Sequence, residues 1–325
     1  MAKILVTGGL GLIGSAVCKR LIDRGEDVIA LDNSTAYFNL LHDNASIYQR
    51  YLFDRLSPLR NKLTFVRGDT RHKDEIRRII NDHQPTHIIH LAAMPLANIS
   101  QTHSEEAFGS IVSGTTNLLE VIRDNKSCVR FVYASSSMVY GEFMQSKIDE
   151  THPKHPKNIY GGAKLCGEVI TQTYGNTFDI EYSIVRPTAV YGPTDVNRRV
   201  VQIFCENALM GKTLILKGGA SNPLDFTYTD DIVDGFIRAA LEPRGANEIF
   251  NISRGESRTL GDLVSILKDQ LGDINVIEEP MEKNIPRRGS LNISKAKRML
   301  DFDPTFSLEK GVSEYLKFLT PYFQK

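Results

Sequence analysis

The chain of 325 residues has no tryptophan, only four cysteines, no net charge and no apolar run of membrane-spanning length. Each absence excludes something. With 39 basic against 39 acidic residues, no global field recruits nucleic acid or an anionic membrane. Cys18, Cys128, Cys166 and Cys205 lack the paired spacing of a disulfide framework, so reduced thiols in a cytoplasmic protein are expected. His152 and His155 share a loop, but no Cys, Asp or Glu arrangement supports them, and no metal is expected. A strand-like run begins at Lys3, so no signal peptide is expected. The remaining composition, 41% hydrophobic and 24% charged, suits roughly two domains or one large α/β domain with an appended lobe.

What the chain has is concentrated at its beginning. Lys3 to Thr7 is a short apolar run with a β-branched centre, the pattern of a buried parallel strand. Gly8, Gly9, Gly11 and Gly14 follow, then Leu12 to Arg24 with apolar residues at helical spacing and Gly25 as a stop. A second strand, Asp27 to Leu31, delivers Asp32 at its carboxyl end. In such a unit Gly8 permits a tight turn, Gly11 lets backbone approach a pyrophosphate, and Gly14 lets the helix pack on the sheet. The phosphates sit at the positive helix N-terminus. Asp32 is placed to accept both ribose hydroxyls of an adenosine, and its charge opposes a 2′-phosphate, so NAD is expected rather than NADP. An ordinary βαβ unit with a glycine-rich turn and no ligand is the plain alternative.

Further strands are expected at Leu63–Arg67, Thr86–Leu91, Val129–Ala134 and Ile180–Val185, alternating with helices near His72, at Ser104–Asp124 and at Tyr160–Tyr174. Ser34 to Arg60 reads as loop and irregular helix. This rhythm argues for a Rossmann-like, doubly wound parallel sheet, with ligands at the carboxyl ends of its strands. Residues 1–190 form the expected NAD-binding domain and 191–325 a smaller C-terminal substrate-binding lobe, with 225–252 a candidate for return to the first domain. Helices are expected there at Val200–Met210, Asp230–Leu241, Thr259–Leu271, Ser294–Leu300 and Leu308–Leu319, with short strands at Leu214–Lys217 and Ile249–Ile252.

Tyr160 and Lys164 lie at i and i+4 of an expected helix and so share a face. A free tyrosine has a pKa of about 10, too high for a base at neutral pH. A neighbouring ammonium and an oxidised nicotinamide favour the phenolate, and a drop of about three units requires roughly 4 kcal/mol. A serine at the adjacent strand end, among Ser135, Ser136 and Ser137, would complete a proton relay to a sugar hydroxyl. The spacing alone fits an ordinary surface pair; after a dinucleotide-binding unit it gains weight.

With its GxxGxxG loop, this combination resembles the extended short-chain dehydrogenase/reductase superfamily, in its branch of NAD-dependent nucleotide-sugar epimerases and dehydratases. His90-Leu91-Ala92-Ala93, Gly114-Thr115, Arg186-Pro187 through Pro193, Asp225-Phe226-Thr227-Tyr228 and Ile293 to Lys297 carry the likeness along nearly the whole chain. The resemblance implies Ser136, Tyr160 and Lys164 as the catalytic residues. For NAD it implies Gly8, Gly11, Leu12, Ile13, Gly14, Asp32, Asn33, Asp69, Thr70, Leu91, Ala92, Ala93, Ala134, Tyr160, Lys164, Pro187 and Val190. Asp69 taken alone reads equally as a helix N-cap.

Departures from the pattern matter as much. Dehydratases of this kind carry an Asp-Glu pair after the catalytic hydroxyl residue, and Ser137-Met138 stands here. Epimerases usually have an arginine before Asp-Phe to clasp a diphosphate, and this chain has Leu224; an asparagine is common where it has Ile111. Arg198, Arg199, Arg287 and Arg288 are the candidates to replace that arginine, because guanidinium matches a diphosphate bidentately. Ser136, Ser137, Arg199 and Arg288 are the expected substrate contacts. The implied function is NAD-dependent epimerisation of a nucleotide sugar, at C4 of a hexose, through a keto intermediate, in a homodimer. A nucleotide-4-keto-sugar reductase with the same triad, or a non-catalytic NAD-binding protein, are the other readings.

Overall fold

The computed structural model describes residues 1–35 and 41–323. Seven strands form one parallel sheet: β1 (Lys3–Thr7), β2 (Asp27–Asp32), β3 (Thr64–Arg67), β4 (His87–His90), β5 (Arg130–Ala134), β6 (Glu181–Pro187) and β7 (Glu248–Ile252). Their spatial order is β7-β6-β5-β4-β1-β2-β3, so the winding reverses between β1 and β4. A crevice opens at the carboxyl ends of the strands at such a reversal.

Alternation of side chains along each strand feeds two cores. Ile4, Val6, Val28, Ala30, Val132 and Val185 face helices α1 (Leu12–Asp23) and α7 (Thr229–Leu241). Leu5, Ile29, Leu31, Ile88, Phe131 and Ile184 face α3 (Lys73–His83) and α4 (Gly114–Asp124). With both faces covered, the central strands are largely apolar, while the edge strand β3 is mostly exposed. Ile249–Ile252, which the sequence leaves between the two domains, lies in β7 and pairs with β6.

A third core belongs to the C-terminal region. It joins α6 (Val200–Leu209), α8 (Leu260–Leu271) and α9 (Leu308–Phe323) through Phe204, Leu263, Leu267, Val312 and Leu316. Tyr48 and Tyr51, from α2 (Ala45–Leu56), are buried in this same core. The sequence expectation of loop and irregular helix over Ser34–Arg60 is corrected by α2, a regular twelve-residue helix; residues 36–40 of that stretch lie outside the described residues. The expected helix over Ser104–Asp124 is interrupted by a π turn at Gly109–Ser113. Directly after it the helix approaches the Thr70 loop closely: a Cβ on Gly114 would lie 2.6 Å from the Thr70 hydroxyl. α5 (Ile159–Phe178) begins at an Asn158 cap whose side chain accepts from the Gly161 amide. Among the described residues, no helix is long and apolar enough to cross a membrane.

Candidate cofactor and active-site cleft

A cavity of about 400 Å3 opens at the reversal point. Its floor is the turn from β1 into α1. Gly8 has φ +68°, and a Cβ there would lie 2.8 Å from the Ala92 nitrogen, so only glycine fits. A Cβ on Gly14 would lie 2.0 Å from the Gly8 carbonyl oxygen, so the helix packs on the turn itself. Gly11 caps α1 with no side-chain bond, and the first turn has no acidic residue. Its amides and dipole therefore remain directed at an anion.

Asp32 ends β2 and accepts from the Leu10 amide (3.0 Å) and the Ser34 amide (2.8 Å). Burial pushes its carboxyl up, while these amides and the Arg55 charge pull it down. Asp69 follows β3. Burial raises it too, but Arg71 and the Asn33 amide outweigh that and hold it well below the usual carboxylate range. Asn117 donates to the carbonyls of Thr70 and Arg71, both at 3.0 Å, and fixes this loop. Ser110, in the π turn, lines the cleft and accepts from the Met94 amide. π turns recur at functional sites, and nothing in residue spacing announces this one.

At the other end lie Tyr160 and Lys164 of α5, beside Ala134 and Ser135 after β5. The Lys164 ammonium is buried, donates to the Ala134 carbonyl (2.6 Å) and lies 5.8 Å from the Tyr160 ring centroid. Burial lowers its pKa to about 7, with the Glu168 charge opposing. Burial also raises Tyr160; the Arg199 charge and a Ser136 hydrogen bond act against it. Among the protein's own groups burial is the largest influence on the phenol, and Arg199 is the cation that opposes it. A positively charged group bound beside it is what remains to favour the phenolate.

Under this corner runs a buried network that sequence reasoning missed. The Ser135 hydroxyl donates to Glu168, which takes both Nε (2.7 Å) and Nη2 (2.6 Å) of Arg186. Arg186 also donates to the Tyr140 hydroxyl, which donates to Asn251 of β7. Glu168 stands four residues beyond Lys164, the one signal that could have exposed it. His90 bridges the hydroxyls of Thr7 and Thr115 and is neutral, its pKa lowered by burial and the Lys164 charge to about 3.

Of the expected residues, Gly8, Gly11, Leu12, Ile13, Gly14, Asp32, Asn33, Asp69, Thr70, Leu91, Ala92, Ala93, Ala134, Tyr160, Lys164, Pro187 and Arg199 line the one cleft. Four do not. Ser136 is buried, accepts from the Met138 amide and lies within hydrogen-bonding reach of Tyr160. Ser137 is buried, and its hydroxyl has no partner. Val190 pairs with Thr227 in a two-residue ladder. Arg288 stands in the C-terminal region with its Nε buried and unpartnered, and the charge acting on it is that of the buried Asp225. The other arginines sort themselves. Arg198 donates to His42 and Tyr48, Arg287 is exposed, and Arg199 is held by both oxygens of Asp195. Leu224 is buried against the C-terminal core, so an arginine there would carry charge into apolar packing.

Among the described residues, no group of His, Cys, Asp and Glu could hold a metal ion. The cradle without room for Cβ atoms, the uncapped helix start and the Asp32 carboxylate fit a dinucleotide diphosphate with an unmodified ribose.

The comparisons agree with this chemistry. Residues 4–253 match the model of the NAD dependent epimerase/dehydratase family. UDP-glucuronate 4-epimerase 4 of Arabidopsis thaliana is 30% identical over 98% of this chain and 76% of its own length. The structure of UDP-glucose 4-epimerase from Thermotoga maritima, solved with UDP-glucose, superposes with a TM-score of 0.88 at 29% identity, covering 99% of this chain and 100% of that one. UDP-glucuronic acid 4-epimerase from Bacillus cereus, solved with UDP-glucuronic acid and NAD, gives 0.89 at 27%, over 99% and 100%. By loop, sheet order, cleft and these likenesses, the chain belongs to the NAD-dependent epimerase/dehydratase family, in its extended short-chain dehydrogenase/reductase branch.

Proposed function

We propose that the protein is a nucleotide-sugar epimerase that inverts C4 of a nucleotide-linked hexose through a transient ketone. The observation that carries this reading is Tyr160 facing the NAD cleft, with Met138 standing where a dehydratase needs an acid. The similarity to UDP-sugar 4-epimerases supports it.

Gly8, Gly11 and Gly14 with the start of α1 hold the cofactor diphosphate, Asp32 the adenosine ribose, and the Asp69–Thr70 loop the adenine side. Bound NAD supplies the hydride acceptor and donor at the sugar carbon. Tyr160 takes the proton from the C4 hydroxyl and returns it, and Ser136 relays it. Lys164, fixed on the Ala134 carbonyl, orients the cofactor ribose. Arg199 and Arg288 hold the sugar diphosphate in place of the arginine that Leu224 displaces.

Residues 1–190 with 225–252 act as the cofactor half, the rest as the substrate lobe. A homodimer is supported by α4 and α5, which adjoin each other, together with the exposed Phe108, Val169 and Phe178. Four free cysteines suit a cytoplasmic enzyme. The test is incubation with a panel of nucleotide sugars and chromatography of the products. A C4 epimer formed without added reductant, with NAD copurifying, supports the reading. Net consumption of reduced cofactor marks a keto-sugar reductase instead. A monomer by light scattering at micromolar concentration contradicts the dimer.

A further inference from the structure

Helix α2 leaves the cofactor half in sequence yet packs in the other core. Glu206 of α6, itself buried, accepts from the Tyr48 hydroxyl (2.8 Å) and the Asn44 amide (3.3 Å). Its opposite oxygen takes the Gln202 amide at 2.9 Å. The first half of the helix is thereby fastened to the substrate lobe.

The last turn of α2 does something different. Arg55 Nη1 donates to the carbonyl of Leu10 (3.2 Å), the tip of the glycine loop. Its Nε donates to the Thr194 hydroxyl (3.2 Å), and Nη2 to the Thr194 carbonyl. Leu10 is thus held from two sides, its amide by Asp32 and its carbonyl by Arg55. Thr194 has φ +68°, a conformation that a β-branched residue adopts only when its surroundings impose it. A guanidinium gripping both its hydroxyl and its carbonyl is such an imposition. Arg55, Leu52 and Leu56 also line the cleft beside Asp32 and Gly11. Burial lowers Arg55 to about 10, so it keeps its charge at neutral pH. Five N–H groups and three bonds leave two N–H directed from a fixed cation.

We propose that Arg55 is a retention clamp: it ties the phosphate-binding loop to the Thr194 turn of the substrate lobe, so that NAD cannot leave until the two are unfastened. An enzyme that regenerates its cofactor in place needs such a device, because cofactor loss between the two half-reactions would strand the ketone. The clamp depends on NAD as the cofactor and not on which sugar is turned over.

The test is exchange of radiolabelled NAD from the purified holoenzyme into excess unlabelled NAD. In Arg55→Met the exchange accelerates at least about tenfold, the effect of losing charge-assisted hydrogen bonds between the two parts. Thermal melting with saturating NAD serves as the check that the variant is folded. Should Arg55→Met not fold, Arg55→Lys is read in its place, since lysine keeps charge and stem but lacks the fork. Faster exchange in the folded variant supports the clamp. Exchange at the wild-type rate overturns it.

Discussion

The two ends of the cleft are built on opposite plans. At the glycine-loop end the contacts are backbone amides, short turns and two carboxylates, all supplied within a strand or two of one another. At the Tyr160 end the side chains come from distant segments: Arg199, held on Asp195, is the arginine that lines it, and Leu224, where the resembled epimerases place an arginine, is buried in the C-terminal core. A diphosphate that every member of a family must bind permits a fixed cradle. Side chains drawn from distant segments can be exchanged without rebuilding the fold, whereas a glycine cradle cannot.

The sharpest break falls at the catalytic corner between these ends. Tyr160→Phe keeps the ring and its packing but removes the titrating oxygen. Turnover should fall by about 10²–10⁴-fold, while NAD still binds. Equal NAD affinity with lost turnover separates the chemistry from the cradle. Beneath it, Glu168→Gln unbalances the buried Arg186 charge and should cost about 3–5 kcal/mol in a denaturant titration. A loss under 1 kcal/mol in that titration would show the network to be dispensable.

At the sugar end, Arg288→Met should raise the KM for the sugar nucleotide about 10–100-fold, as loss of charged hydrogen bonds implies, with NAD retention unchanged. Weaker NAD retention would place Arg288 at the wrong end. A further effect concerns pH. The folded protein holds Lys164 near pKa 7 against 10.5 for the free side chain. Between those values the unfolded chain binds a proton there that the folded protein does not, so stability rises with pH across the window. Below pH 7 the buried charge is carried at full cost. Lys164→Met without cofactor should therefore melt higher than wild type near pH 6.5, the gap closing toward pH 10.

The same contrast governs what was legible in the sequence. The β1–α1–β2 unit is legible because its determinants are local: four glycines, one helical stripe and one aspartate within about thirty residues. Tyr160 and Lys164 are legible because helical spacing fixes their common face. Arg55 was invisible, since its partner Thr194 stands 139 residues away. Glu168 was passed over because its meaning lies in Arg186, on another strand. Burial, the largest influence on Tyr160 and one that raises its pKa, is absent from any spacing argument. Leu224 announced a changed sugar site but not its cause, which is core packing.

The central claim is hydride removal and return at C4 on a cofactor that stays bound. A UDP-hexose carrying deuterium at C4 tests it directly, with the product analysed by mass spectrometry and the protein by cofactor absorbance. Deuterium retained in the C4 epimer, with no reduced cofactor accumulating, is the predicted result. Deuterium lost to water, or reduced cofactor released in step with product, would contradict it.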